Sequence, residues 1–141
     1  MAARRSVNDL VAEAKGRIEE LSVADLQAEI ETGGVTVIDI RDVRERWAKG
    51  AIPGAKSMPR GMLEFWFDPD SEYYRDGLAF EGRYVLHCAG GHRSALATDV
   101  LQELGYTNVA HLTVGFNGWK DAGGAVEAVH PDPKYLRPAE S

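Results

Sequence analysis

The chain has 141 residues, 44% hydrophobic and 27% charged, the size and composition of one ordinary globular domain with its own core. A net charge of −6 argues against a nucleic-acid partner, whose phosphates it would repel. No apolar run reaches the ~18 residues of a membrane span, and the arginines of "MAARRSVNDL" precede no signal-peptide core. The single cysteine excludes an internal disulfide and a multi-cysteine zinc site. The expectations are therefore no metal, no membrane contact and a cytoplasmic location.

Val7, Leu10, Val11, Ala14 and Ile18 recur at helical spacing, which predicts an amphipathic packing helix from residue 6 to about 18. Ser22 and Asp25 loosely fit a capping box that opens a second helix, ended by Gly33 or Gly34. "VTVIDI" (35–40) is a β-branched run suited to a strand buried on both faces. "RDVRERWAKG" reads as a short helix or turn, and "AIPGAKSMP" as a loop leading into a brief extended piece. "RGMLEFW" opens with a helical turn in which Met62, Phe65 and Trp66 are core candidates. "RYVLHC" is a second buried strand, and "RSALATDVLQELG" a helix with Leu96, Val100, Leu101 and Leu104 on one side. "NVAHLTVG" is a third strand, "FNGWKDAGG" a glycine-rich loop or short helix, and the tail from His130 extended or loose.

Strand–helix alternation predicts an α/β domain with a mainly parallel sheet, whose ligands sit beyond the strands' carboxyl ends. Asp39 and Arg41, Cys88, and the loop at Gly115 all fall there. In "HCAGGHRSALA" the cysteine lies between a strand and a helix, where successive N–H groups and the helix's positive end can surround an anion. Gly90 and Gly91 supply the backbone freedom. Moving a thiol from pKa ~8.5 to ~7 takes about 2 kcal/mol. A helix terminus usually gives ~0.3–1 kcal/mol, so the loop amides must add to it. A lone cysteine is more often a small buried hydrophobe, but this setting reverses the odds toward a reactive thiolate. His87 adjoins Cys88 in a strand and points to the opposite face, while His92 is nearer or simply faces solvent.

"VIDIRDVRERWAKGAIPGAKSMP", "YVLHCAGGHRSALA" and "VGFNGWKDAGGAVE", in that order, resemble a single rhodanese domain over roughly residues 18–127. The resemblance implies a three-layer α/β/α fold around a mainly parallel sheet, with an N-terminal helical extension (1–17), the rhodanese-like domain (18–128) and a C-terminal tail (129–141). It implies a sulfurtransferase in which Cys88 bears a persulfide, within a loop of Ala89, Gly90, Gly91, His92 and Arg93. Asp39 and Arg41, which tie a strand end to neighbouring loops, and Ser94 are supporting residues; Arg60 and Gly115 are candidates for the pocket rim. Gly54 and Ala55 match the family's Gly-Ala turn, and Gly115 with Trp119 a C-terminal motif that mainly packs.

Three positions depart from the pattern. Ala51 stands where many members have histidine, Val114 replaces a glycine, and Ala89 replaces the arginine that thiosulfate enzymes carry beside the cysteine. The last change points to a persulfide donor, with Arg93, His92 or Arg60 as the remaining anion contacts. The implied partners are a small sulfur donor (thiosulfate or a persulfide) and a thiophilic acceptor, namely cyanide, a thiol or an acceptor protein; no cofactor is implied. Two alternatives stand beside sulfur transfer. One is a weakly active or idle binding module of the same fold; the other is a phosphatase, whose Cys-x5-Arg loop is one residue longer than that between Cys88 and Arg93.

Overall fold

The computed structural model describes residues 3–135. Among the described residues, five strands form one parallel sheet in the order β1-β5-β4-β2-β3. They are β1 (Glu19–Leu21), β2 (Val35–Asp39), β3 (Lys56–Ser57), β4 (Arg83–His87) and β5 (Val109–Leu112). Helices α1 (Val7–Lys15), α2 (Val23–Thr32), α3 (Val43–Lys49), α4 (Leu63–Phe67), α5 (His92–Glu103) and α6 (Gly115–Asp121) surround it. The chain runs outward from β2 to β3, returns to β4 on the other side of β2, and continues to β5. The gap between the ends of β2 and β4 is thus the topological switch point, where sheets of this kind hold ligands.

The two faces sort by strict alternation. Ile38, Ile40, Leu86 and Cys88 face α4 and α5 in a cluster with Leu63, Phe67, Ala97, Leu101 and Tyr106. Val37, Val85, Ala110 and Leu112 face the other way, onto Leu26 of α2 and Phe116 and Trp119 of α6. This is the three-layer α/β/α architecture that the motifs imply. The first cluster is pinned by Tyr106, whose single hydroxyl hydrogen is shared between Phe67 O at 2.6 Å and Leu78 O at 2.7 Å.

Three helices begin with complete capping boxes: Ser6 with Asp9, Ser22 with Asp25, and Asp42 with Glu45. The shorter reach of aspartate at the third position suffices, with Ser22 N–H donating to Asp25 at 3.3 Å. Helix α1 packs on α5 of its own chain, through Val11 and Ala14 against Ala95, and Arg17 pairs with Asp99.

Several sequence expectations need correction. β1 is a strand that the pattern missed: it has three residues, and only Leu21 of them is buried. The buried residues of α4 are Leu63 and Phe67, whereas Phe65 is 51% exposed, so the helix faces the core one step away from the expected register. In α5 the fully buried side is Ser94, Ala95, Ala97, Thr98 and Leu101; Leu96, Val100 and Leu104 are half-buried. Small side chains there let α5 lie close to the sheet. Of the two readings of "FNGWKDAGG", the short helix is the one that forms, as α6. Of the tail, a 3-10 turn forms at Pro133–Tyr135; residues 136–141, like residues 1 and 2, lie outside those described. No helix among the described residues is long and apolar enough to cross a membrane.

Candidate active site

Cys88 follows β4 directly, at the centre of the sheet and at the switch point. Its sulfur accepts hydrogen bonds from the Gly91 N–H at 3.2 Å and the Ser94 N–H at 3.4 Å, and lies 3.5 Å from Ser94 Oγ. The residue is 1% exposed, so the thiol is recessed among its donors. Burial pushes the Cys88 thiol up. Hydrogen bonds from the Ser94 side chain and from the N–H groups of Ser94, Gly91 and Gly90 outweigh that and hold it below its ordinary value. The pocket therefore stabilises a sulfur anion.

Gly91 has φ 92 and caps the start of α5. A Cβ there would meet Thr113 O at 2.1 Å, so both the conformation and the space demand glycine. Gly90 differs from expectation: its φ is not positive, it is exposed, and a Cβ would find nothing nearer than His92 at 3.8 Å. The loop is also held from behind. Phe116 N–H donates to Cys88 O at 2.8 Å and Asn117 N–H to Ala89 O at 3.1 Å. Gly115 permits this approach, since a Cβ on it would lie 2.4 Å from Ala89 O. It is buried against the loop rather than at a rim. The Gly-aromatic-x-x-Trp segment thus anchors the loop carbonyls as well as packing Trp119, and leaves the loop N–H groups free to face sulfur.

The two arginines expected to meet a donor each have an acidic partner. Arg93 makes a two-pronged pair with Glu45, at 2.9 and 3.0 Å, while its guanidinium also lies near enough to Cys88 to interact with the sulfur. Arg60 pairs with Glu64 one helical turn on. His92 is exposed. An apolar cavity of about 440 Å³ lies to one side, lined by Val43, Trp47, Pro59, Trp66 and Arg75; neither Cys88 nor Arg60 lines it.

Asp39 and Arg41 sit on the opposite face, completely enclosed. Arg41 binds both Asp39 oxygens, at 3.0 and 2.8 Å, and the Gly50 carbonyl at 2.8 Å. Arg46 adds a bond to Asp39 at 2.9 Å, and the Arg41 guanidinium covers the Phe116 ring at 4.1 Å. His87 belongs to this face: it stacks on Phe116 and points away from the thiol. Burial pushes it below its ordinary value of 6.5. These residues fix strand end and loops; none touches Cys88 Sγ.

Two residues behind the thiol were not singled out in the sequence. Ser94 Oγ lies 2.9 Å from His111 Nδ1, and His111 Nε2 lies 2.9 Å from Glu20 Oε2. His111 is completely buried in β5. Its signal was present, a lone polar residue in the apolar run "VAHL". Glu20 carried none, because β1 went unseen.

Residues 22–122 match the rhodanese-like domain model, and the chain belongs to that family. It is 31% identical over 90 residues to a mitochondrial protein of Schizosaccharomyces pombe provisionally named a thiosulfate sulfurtransferase; the match spans 60% of this chain and 63% of that protein's length. It is 28% identical over 111 residues to the human thiosulfate:glutathione sulfurtransferase, spanning 70% of this chain and 90% of the relative. Among solved structures, a Rhodopseudomonas palustris protein of unknown function, described as a possible tyrosine phosphatase, superposes with a TM-score of 0.85 at 43% identity. That match covers 90% of this chain and 98% of the other. A single buried cysteine in this fold is consistent with an active site of the sulfurtransferase type.

Proposed function

We propose that this protein is a sulfurtransferase that carries a sulfane sulfur on Cys88. The observation behind this reading is the recessed thiol facing the N–H groups of Gly91 and Ser94. In the first half-reaction the Cys88 thiolate bonds to the donor's outer sulfur. The bond from that sulfur to the rest of the donor breaks, and the leaving group departs with the electron pair, as sulfite from thiosulfate or as thiolate from a persulfide. The negative terminal sulfur left on Cys88 then sits among the same N–H donors; in comparable sites losing one such donor costs about 2.7–4 kcal/mol. In the second half-reaction an acceptor nucleophile takes the terminal sulfur, and the Cys88 thiolate leaves with the bonding pair. This is covalent, ping-pong catalysis.

Ala89 beside the thiol, and an Arg93 shared with Glu45, leave one partly neutralised cation near the sulfur to meet a thiosulfate dianion, which favours a persulfide donor. The human relative's name supports a small thiol as acceptor. The unpaired thiol also suits a reducing compartment such as the cytoplasm. The likeness to the R. palustris structure raises phosphate as the rival substrate. Against it, four residues between Cys88 and Arg93 make a tight ring, and Arg93 shares its charge with Glu45.

Intact-mass measurement tests the reading. After incubation with thiosulfate or glutathione persulfide, wild type gains one sulfur that cyanide removes, and Cys88→Ser gains none. Failure of both donors to load sulfur, together with Cys88-dependent hydrolysis of p-nitrophenyl phosphate, would replace it with the phosphatase reading.

A further inference from the structure

We infer that Ser94, His111 and Glu20 form a proton relay that takes the thiol proton of Cys88 and holds it as an imidazolium–carboxylate pair while the sulfur is a thiolate. The inference rests on the reading of Cys88 as a nucleophile and adds how the thiol is deprotonated in a pocket with no histidine against the sulfur.

The placement follows from strand register. Glu20 of β1 and Leu86 of β4 both pair with His111 of β5, so these three side chains share the sheet face that α5 covers. Ser94 lies in the first turn of α5, over the end of β4. The result is a continuous line of Cys88 Sγ, Ser94 Oγ at 3.5 Å, His111 Nδ1 at 2.9 Å from Ser94, and Glu20 Oε2 at 2.9 Å from His111 Nε2. Cys88, Ser94 and His111 are buried. The Glu20 side chain is 34% exposed, which gives the line one outlet to water.

Chemistry sets the direction of each bond. An ionised carboxylate only accepts, so His111 carries its hydrogen on Nε2 and donates to Glu20. Nδ1 is then a bare acceptor, and the Ser94 hydroxyl must donate to it. The Ser94 oxygen is left with lone pairs toward the thiol, and Cys88 S–H can donate to it. Ionisation shifts two protons one place each: the thiol hydrogen passes to Ser94 Oγ as the serine hydrogen passes to His111 Nδ1. Nothing is oxidised or reduced. The products are a thiolate that now accepts from the Ser94 hydroxyl and an imidazolium beside the Glu20 carboxylate. Reversal returns a proton to a departing thiolate.

The groups that act on His111 come from each element around it: Glu20 on β1, Lys15 on α1 and His92 on α5, with Cys88 beyond Ser94. Burial pushes His111 below its ordinary value, and Lys15 and His92 act in the same direction, while Glu20 opposes them. The resting ring is therefore neutral, as a proton acceptor must be. His87 cannot substitute, since it stacks on Phe116 across the sheet.

The test is the pH dependence of Cys88 alkylation by iodoacetamide, with wild type, His111→Gln and Glu20→Gln. Wild type should show two inflections, as coupled groups do. His111→Gln should show one, displaced upward, with the rate near neutral pH down about tenfold, one pKa unit's worth. Its rate at high pH, where every thiol is ionised, should equal wild type. Glu20→Gln should lose about threefold near neutral pH and also converge at high pH. Profiles that superimpose on wild type, or a loss that is the same at every pH as a packing defect would give, overturn the relay. If His111→Gln does not fold, Glu20→Gln decides, because its change lies at the solvent end of the line. Alkylation needs no sulfur donor, so an unchanged profile strikes the relay alone, whereas failure to form a persulfide strikes the sulfur reading alone.

Discussion

Two groups of polar side chains gather on opposite faces of the sheet, one around Asp39 after β2 and one running from Cys88 after β4 to Glu20 of β1. On one face Asp39 is saturated by Arg41 and Arg46, and Arg41 by Asp39, Gly50 O and the face of Phe116. On the other, Cys88, Ser94, His111 and Glu20 form an open line that begins at a reactive atom and ends at solvent. The first group is closed around one carboxylate, held between two guanidinium groups that are fixed against it. The second is polarised toward one atom and can change its charge state without moving. Buried charge by itself therefore does not mark a site. What marks it is a group of donors converging on one reactive atom.

The largest effect expected on the open side is from Cys88→Ser, which should abolish persulfide formation measured by mass. Next is Gly91→Ala, whose Cβ would collide with Thr113 O. Displacing the Gly91 N–H from the sulfur should cost about a hundredfold in the rate of persulfide formation, the usual result of losing one such donor. On the closed side, Asp39→Ala strands two buried guanidinium groups. It should lower unfolding stability by about 3–5 kcal/mol in urea titration. Molecules still folded should load sulfur, since Asp39 makes no contact with the thiol. If Asp39→Ala instead abolished loading in folded protein, the separation of the two faces would fail.

A smaller effect comes from pH. Folded His87 stays neutral below its ordinary value of 6.5 because burial disfavours its charge, whereas the unfolded chain takes up the proton there. Stability is therefore complete above pH 6.5 and falls as pH drops through it. The slope is about 1.4 kcal/mol per pH unit per such histidine. His111 is shifted in the same direction and adds to the slope. Asp39 behaves differently. Burial pushes its carboxyl up, hydrogen bonds from Arg41 outweigh that, and the net value is below 3.8. Its contribution persists until pH falls below 3.8. Urea midpoints that do not change between pH 7 and 5 would contradict the histidine assignment. Smallest of all, Arg93→Ala breaks a pair whose side chains are 42% and 34% exposed. It should shift stability by less than ~1 kcal/mol and raise the apparent KM for thiosulfate no more than a few-fold, because the guanidinium near the sulfur is shared with Glu45. A large rise in KM for thiosulfate would return Arg93 to the pocket.

Much of this site was legible because its parts are local. A short apolar run, a cysteine, two glycines and an amphipathic stretch in one continuous segment specify strand, turn and helix, and the turn's N–H groups must then face inward. What local pattern misjudged was exposure. Gly90 next to Gly91 looked equally constrained, yet only Gly91 lies against another segment, Thr113. Gly115 and Arg60 looked like a rim, but Gly115 is pressed on Ala89 and Arg60 is held by Glu64. In α4, Phe65 and Leu63 are equally apolar by type. Which of them is buried depends on how the short helix meets the sheet.

By itself the sequence determined the α/β alternation, the parallel sheet and the position of the thiol at a strand end, because hydrophobic periodicity and a strand–Gly–helix turn act over a few residues. Only the tertiary structure decided the partners. Glu45 claims Arg93 across 48 residues, and Glu20 reaches His111 across 91. The physical reason is that hydrogen-bond partners are chosen by strand order and register, which place β1 beside β5 although they lie near opposite ends of the chain.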